Sequence, residues 1–184
     1  MTIHPTPLAV LCAIRHAAFG AARGRFTRLF CEQELAAIRP GLHFTQINLS
    51  QTHGRGTLRG MHYQLPPTAE AKLVHCLRGR VFDVAVDIRR GSPHFGRWVG
   101  VELSADNRRQ LWIPEGFAHG FLALQDDTHF LYKTTDVYAR DCERSIRWDD
   151  PAIGIGWPLP PGLKAPLVAP KDAAAPVLDA ADLS

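Results

Sequence analysis

Residues 56–87, GTLRGMHYQLPPTAEAKLVHCLRGRVFDVAVD, decide the reading of the fold. Residues 57–64 read as one extended arm that carries His62. The run Gln64-Leu65-Pro66-Pro67-Thr68 interrupts it, because two prolines remove two backbone donors and fix two φ angles. Pairing resumes at Lys72, so the stretch reads as a β-hairpin with a histidine on one arm and a lysine just after the turn. Leu77-Arg78-Gly79-Arg80 is the next tight turn. Beyond it the chain alternates, with Phe82, Val84, Val86 and Ile88 on one face and Val81, Asp83, Ala85 and Asp87 on the other. Apolar residues on one face and carboxylates on the other suit a barrel wall with a polar pocket.

The same alternation recurs outward from this stretch. Residues 44–50, 98–103, 109–113, 117–124 and 129–134 read as short strands. Turn signals separate them at Gly91-Ser92-Pro93, Ala105-Asp106-Asn107, Pro114-Glu115-Gly116 and Asp126-Asp127. Many short strands at this spacing point to a sandwich or a barrel. Residues 7–15 supply a first strand or two, and 31–38 one short helix that ends before Pro40. From Asp149 the chain is rich in proline, glycine and alanine, and 173–184 read as a tail. With 184 residues, the chain is expected to form one domain over 1–184.

Composition excludes several classes of function. Hydrophobic residues make up 46% and charged residues 21%, as in ordinary globular proteins. A formal net charge of +3 is too small to argue for nucleic acid. The scattered arginines suit a small phosphate-bearing ligand better. Cys12, Cys31, Cys76 and Cys142 show neither CxxC nor zinc spacing. No stretch resembles a signal peptide or a membrane span, so a cytoplasmic protein with no membrane partner is expected.

His62, Lys72, His119 and Tyr132 lie on separate expected strands, as when each wall of a barrel contributes a polar group to the interior. A buried lysine is rare unless paired or used. The segment Pro114-Glu115-Gly116-Phe117-Ala118-His119 resembles the second half of the cupin signature. The first half normally holds a metal-binding pair of histidines and a glutamate. Here it reads His62-Tyr63-Gln64, so no metal is expected.

Longer segments resemble the dTDP-4-dehydrorhamnose 3,5-epimerase family. They are Leu58-Arg59-Gly60-Met61-His62-Tyr63-Gln64, Ala71-Lys72-Leu73-Val74, residues 78–89, residues 112–121, Leu131-Tyr132-Lys133 and Trp148-Asp149-Asp150-Pro151. The resemblance implies an all-β cupin jelly-roll barrel with short peripheral helices. It implies epimerisation at carbons 3 and 5 of a dTDP-4-keto-6-deoxyhexose by enolate chemistry, without a cofactor. It also implies a homodimer with exchanged N-terminal strands.

In this family the ketone acidifies the flanking C–H bonds, so the reaction needs a base, an acid on the opposite face and support for the enolate oxygen. His62 resembles the base, and Asp172 the carboxylate that orients it. Tyr132 resembles the acid, since a phenol of ordinary pKa ~10 stays protonated at neutral pH. Lys72 resembles the cation at the enolate oxygen, with Asp83 as a candidate to steady it. Arg23, Gln46, Asn48, Arg59, His119, Tyr138 and Glu143 match substrate-binding positions. Arg59 and His62 conflict with simple alternation, and a bulge at Gly60 would re-aim one of them. The family usually has an aspartate near Ala21 or Ala22 and a glutamate at Arg28. These departures keep two alternatives open: a mono-epimerase on a related nucleotide-linked 4-keto sugar, and a non-catalytic or metal-binding cupin.

Overall fold

The computed structural model describes residues 1–8 and 10–183. Ala9, inside the expected first strand, and Ser184, at the end of the expected tail, lie outside the described residues. Among the described residues the strands run β1 Thr2–Pro5, β2 Cys12–Arg15, β3 Ala18–Ala21, β4 Gly24–Thr27, β5 Gln46–Thr52, β6 Thr57–Gln64, β7 Lys72–Arg78, β8 Arg80–Asp87, β9 Trp98–Ser104, β10 Arg109–Ile113, β11 Phe117–Ala123, β12 Thr128–Thr134, β13 Glu143–Ser145 and β14 Leu167–Val168. The short helices are α1 Glu32–Leu35 and α2 Pro170–Ala173, with one 3-10 turn at Leu178–Ala180. Among the described residues no helix is long and apolar enough to cross a membrane.

The fold is all-β with short helices, but the expected cupin jelly-roll barrel does not form. All strands but β3 and β4 fall into two open sheets, ordered β1-β2-β10-β7-β12-β5 and β13-β6-β11-β8-β9, with β14 added to β6 in parallel. A barrel needs one hydrogen-bonded ladder that returns on itself. Here neither ladder does so: the first ends at β1 and β5, and the second has β9 at one end and β13 with β14 along β6 at the other. The expected hairpin within residues 56–87 is corrected for the same reason. β6 pairs with β11, whereas β7 pairs with β10 and β12 in the other sheet. The proline run therefore carries the chain across from one sheet to the other, and so does the Gly79 turn between β7 and β8.

The inner faces of the two sheets cover each other, and parts of both outer faces are covered as well. Between the sheets, Leu11, Val74, Leu111, Ile113 and Phe130 of the first meet Val81, Ala85, Leu103 and Phe121 of the second. Phe130 is fully buried and packs on Phe121 with ring centroids 4.4 Å apart. Burial of one such ring contributes roughly 1.5–3 kcal/mol. The outer face of β8, with Val84, Val86 and Ile88, lies under Ile146, Ile153, Leu178 and Ala181. The C-terminal stretch is thus docked, and Tyr63 Oη donates to the Asp182 carbonyl at 2.6 Å. On the first sheet, Cys12, Ile14, Leu73 and Trp112 pack under Leu35 and Leu42. The ribbon β3–β4 stands apart as a two-stranded sheet, with Phe19 paired to Phe26 and both rings about two-thirds exposed.

Candidate active site

The space between the sheets is apolar at one end and polar at the other. β5 sets this change: Gln46, Asn48 and Ser50 face inward, while Ile47 and Leu49 face out. The polar end opens as a cavity of about 880 Å³. Gln46, Asn48, Arg59, His62, Lys72, His119, Tyr132, Tyr138, Glu143 and Asp172 all line it. Arg23 does not. It sits at the tip of the β3–β4 ribbon, between Ala21 and Gly24. Arg28 also stays away from the cavity and pairs with Glu34 of α1 at 3.8 Å.

One wall of the cavity is β6 with β11. His119 stands opposite His62, and Phe121 stands opposite Arg59, so three steps on β6 match two on β11. The extra residue is a bulge, and it puts Arg59 and His62 on one face. Gly60 lies there at φ +138°, a conformation that side chains avoid. A Cβ on Gly60 would lie 2.5 Å from Gly120 Cα, and one on Gly120 would lie 2.8 Å from the Arg59 carbonyl oxygen. The two strands therefore cross through a pair of facing glycines.

Asp172 arrives at this wall from α2. Its Oδ2 accepts from the Gly60 N–H at 3.2 Å, and its Oδ1 lies 2.8 Å from His62 Nε2. Burial alone would raise this carboxyl. The hydrogen bond and charge of His62, the Gly60 N–H and Lys171 outweigh burial and hold it below the usual carboxylate range. A carboxylate only accepts, so Nε2 carries the ring proton and Nδ1 is left with the lone pair. His62 remains about one-quarter exposed while Asp172 is buried.

The opposite wall is β7 with β12. Lys72 stands across from Thr134, and Tyr132 across from Val74, so the ammonium and the phenol occupy successive inward positions. Burial raises the Tyr132 phenol, and the negative charges of Glu70 and Glu143 add to it against Arg59. Asp83 does not steady Lys72 by contact. It is fully buried and lies 2.7 Å from His119 Nε2, while the partner of Lys72 is Glu70 at 3.3 Å. Burial pushes the Asp83 carboxyl up, against the pull of His119.

At the mouth, Tyr138 Oη donates to Glu143 at 3.1 Å and Lys171 Nζ donates to the same carboxylate at 3.2 Å. Tyr138 is otherwise open to solvent, a free aromatic face beside the cavity. Sequence reasoning missed Glu70 and the part of Lys171 here. Glu70 had a signal, since residues two apart in an extended chain share a face, and Glu70 precedes Lys72 by two. Among the described residues no three His, Cys, Asp or Glu side chains converge as a metal site.

An imidazole lone pair on one wall and a phenol with an ammonium on the other suit an enzyme that moves protons on a bound molecule. Comparison with known proteins narrows this class. The chain belongs to the dTDP-4-dehydrorhamnose 3,5-epimerase family, whose profile matches residues 5–180, and it is an isomerase. It is 52% identical over 155 residues to the dTDP-4-dehydrorhamnose 3,5-epimerase of Shigella flexneri, covering 84% of this chain and 83% of that one. A Legionella pneumophila dTDP-6-deoxy-D-glucose-3,5-epimerase, solved with dTDP-4-keto-L-rhamnose, superposes with a TM-score of 0.92 at 44% identity. That match covers 98% of this chain and 94% of that one. A 3'-monoepimerase from Streptomyces bikiniensis, solved with dTDP-quinovose, reaches 0.87 at 34% identity, over 96% and 87% of the two chains.

Proposed function

We propose that the chain inverts carbons 3 and 5 of a dTDP-4-keto-6-deoxyhexose, giving dTDP-4-dehydro-L-rhamnose for dTDP-rhamnose synthesis. The observation that carries this reading is the division of labour between walls: His62 with Asp172 on one, Tyr132 with Lys72 on the other. His62 Nδ1 takes the proton from the carbon beside the ketone. The C–H electron pair moves to form the enolate, and its oxygen acquires negative charge next to the Lys72 ammonium. Tyr132 then gives its phenolic proton to the same carbon from the other side, and the enolate collapses to the ketone. The imidazolium and the phenolate return to their starting states by proton exchange with water, and the cycle repeats at the second carbon.

Arg59 and His119 offer positive or donor groups for the diphosphate, and the exposed Tyr138 ring offers a stacking surface for the base. Gln46 and Asn48 line the same end of the cavity. The test is incubation with the nucleotide sugar in heavy water. Deuterium at both carbons is the expected result. Deuterium at one carbon selects a mono-epimerase, and none at either rejects this substrate.

We also propose one domain over 1–184 acting as a cytoplasmic homodimer. The β3–β4 ribbon supports this reading. It carries an exposed Phe19–Phe26 pair and holds Arg23 away from its own cavity, as expected of an arm that delivers Arg23 to a neighbour's. Sedimentation at micromolar concentration should give twice the chain mass, and a monomer would refute the exchange.

A further inference from the structure

Glu70 has no part in the chemistry above, yet its placement is costly. It lies just before β7, and its side chain is only 10% exposed at the cavity lining. The backbone on both sides is pinned: Gln64 Nε2 donates to the Thr68 carbonyl at 2.8 Å, and the Ala71 N–H donates to Thr135 Oγ1 at 2.9 Å. The stretch of backbone that carries Glu70 is therefore held in place. Its one ion-pair partner among the described residues is Lys72, itself 11% exposed. Burying a charged pair is a weak way to gain stability, because desolvation offsets most of the attraction. A close-packed pair at a cavity wall instead suits a charge that must be held in one place.

We propose that Glu70 is a positioning residue of this site: its carboxylate, 3.3 Å from Lys72 Nζ, fixes the ammonium where the enolate oxygen forms. This rests on the reaction assigned above. Lysine's flexible stem allows many rotamers, and an ammonium anchored by a carboxylate loses that freedom before substrate arrives. The same charge acts on the phenol that shares this wall with Lys72. Glu70 and Tyr132 line the same cavity, so ionising the phenol would add a second negative charge there, and Glu70 follows burial among the causes that raise it.

The experiment is Glu70→Gln in the full chain, with Glu70→Asp as the conservative companion. In Glu70→Gln, kcat should fall about tenfold or more with KM changed less than about threefold, as for a misplaced catalytic group. The alkaline limb of the rate profile should move to lower pH, and Glu70→Asp should recover part of both. Independently of turnover, tyrosinate absorbance measured against Tyr132→Phe should show Tyr132 ionising at lower pH in Glu70→Gln. An unchanged kcat overturns the proposal. So does a lower kcat with the alkaline limb and the tyrosine titration unmoved, which marks a structural role only. If the unaltered protein exchanges no deuterium, it is the assigned reaction that fails. The titration then decides the arrangement alone: a downward shift retains the Glu70–Tyr132 coupling, and an unshifted Tyr132 removes it.

Discussion

His62→Ala is expected to lower turnover by about 10²–10⁴-fold, the range that one positioned general base supplies. The substitution removes the imidazole that Asp172 holds at 2.8 Å. Arg59, Tyr138 and the rest of the cavity lining are untouched, so binding of dTDP should survive. Deuterium uptake from heavy water should vanish at both carbons, since both lose their proton to the same nitrogen. Calorimetric titration with dTDP separates loss of chemistry from loss of the site. Activity within about tenfold of the parent would place the base elsewhere.

Tyr132→Phe should give the opposite signature. Proton removal from the His62 side is intact, so the enolate still forms. Without a donor on the far wall, the proton that returns comes from the face it left. The substrate then gains deuterium without inversion, and epimerised product falls by about 10²-fold or more. The Tyr132 phenol is raised by burial and by Glu70, so in the parent the donor is loaded throughout the neutral range. Proton spectra of the recovered nucleotide sugar distinguish exchange with retention from exchange with inversion. Inversion at the parent's rate would assign the acid to another group. Loss of exchange along with inversion would show that Tyr132 serves the first step as well.

The strands were legible and their partners were not. Alternation marked residues 109–113 as a strand, and β10 occupies that span. The same alternation cannot say which sheet a strand enters. The prolines after Gln64 suit the turn of a hairpin, but a donor-free link serves equally well to cross between sheets. Closure failed in the same way, because it depends on ladders between distant strands. Within the site, the bulge at Gly60 was legible as a conflict between Arg59 and His62, and the register shift resolves it. The contact of His62 with Asp172 spans 110 positions. No periodicity encodes such a contact, and only resemblance pointed to it. The partner of Asp83 is undecided in the sequence for a related reason. Alternation places its face, but whether it meets Lys72 or His119 is decided by the neighbouring strand β11.

The facing glycines bear on how such a chain can change. A side chain on Gly60 meets Gly120, and one on Gly120 meets the backbone of Arg59 and the sulfur of Met61. Relieving either collision means separating β6 from β11, and with them the face that Arg59, His62 and His119 share. No single substitution at either position escapes this, and substituting both makes the crowding worse. Lining residues such as Gln46 or Tyr138 stand free of that lock, so a lineage can explore new sugars or bases through them. The two glycines carry no functional group, yet as a pair they confine the evolutionary routes open to the histidine.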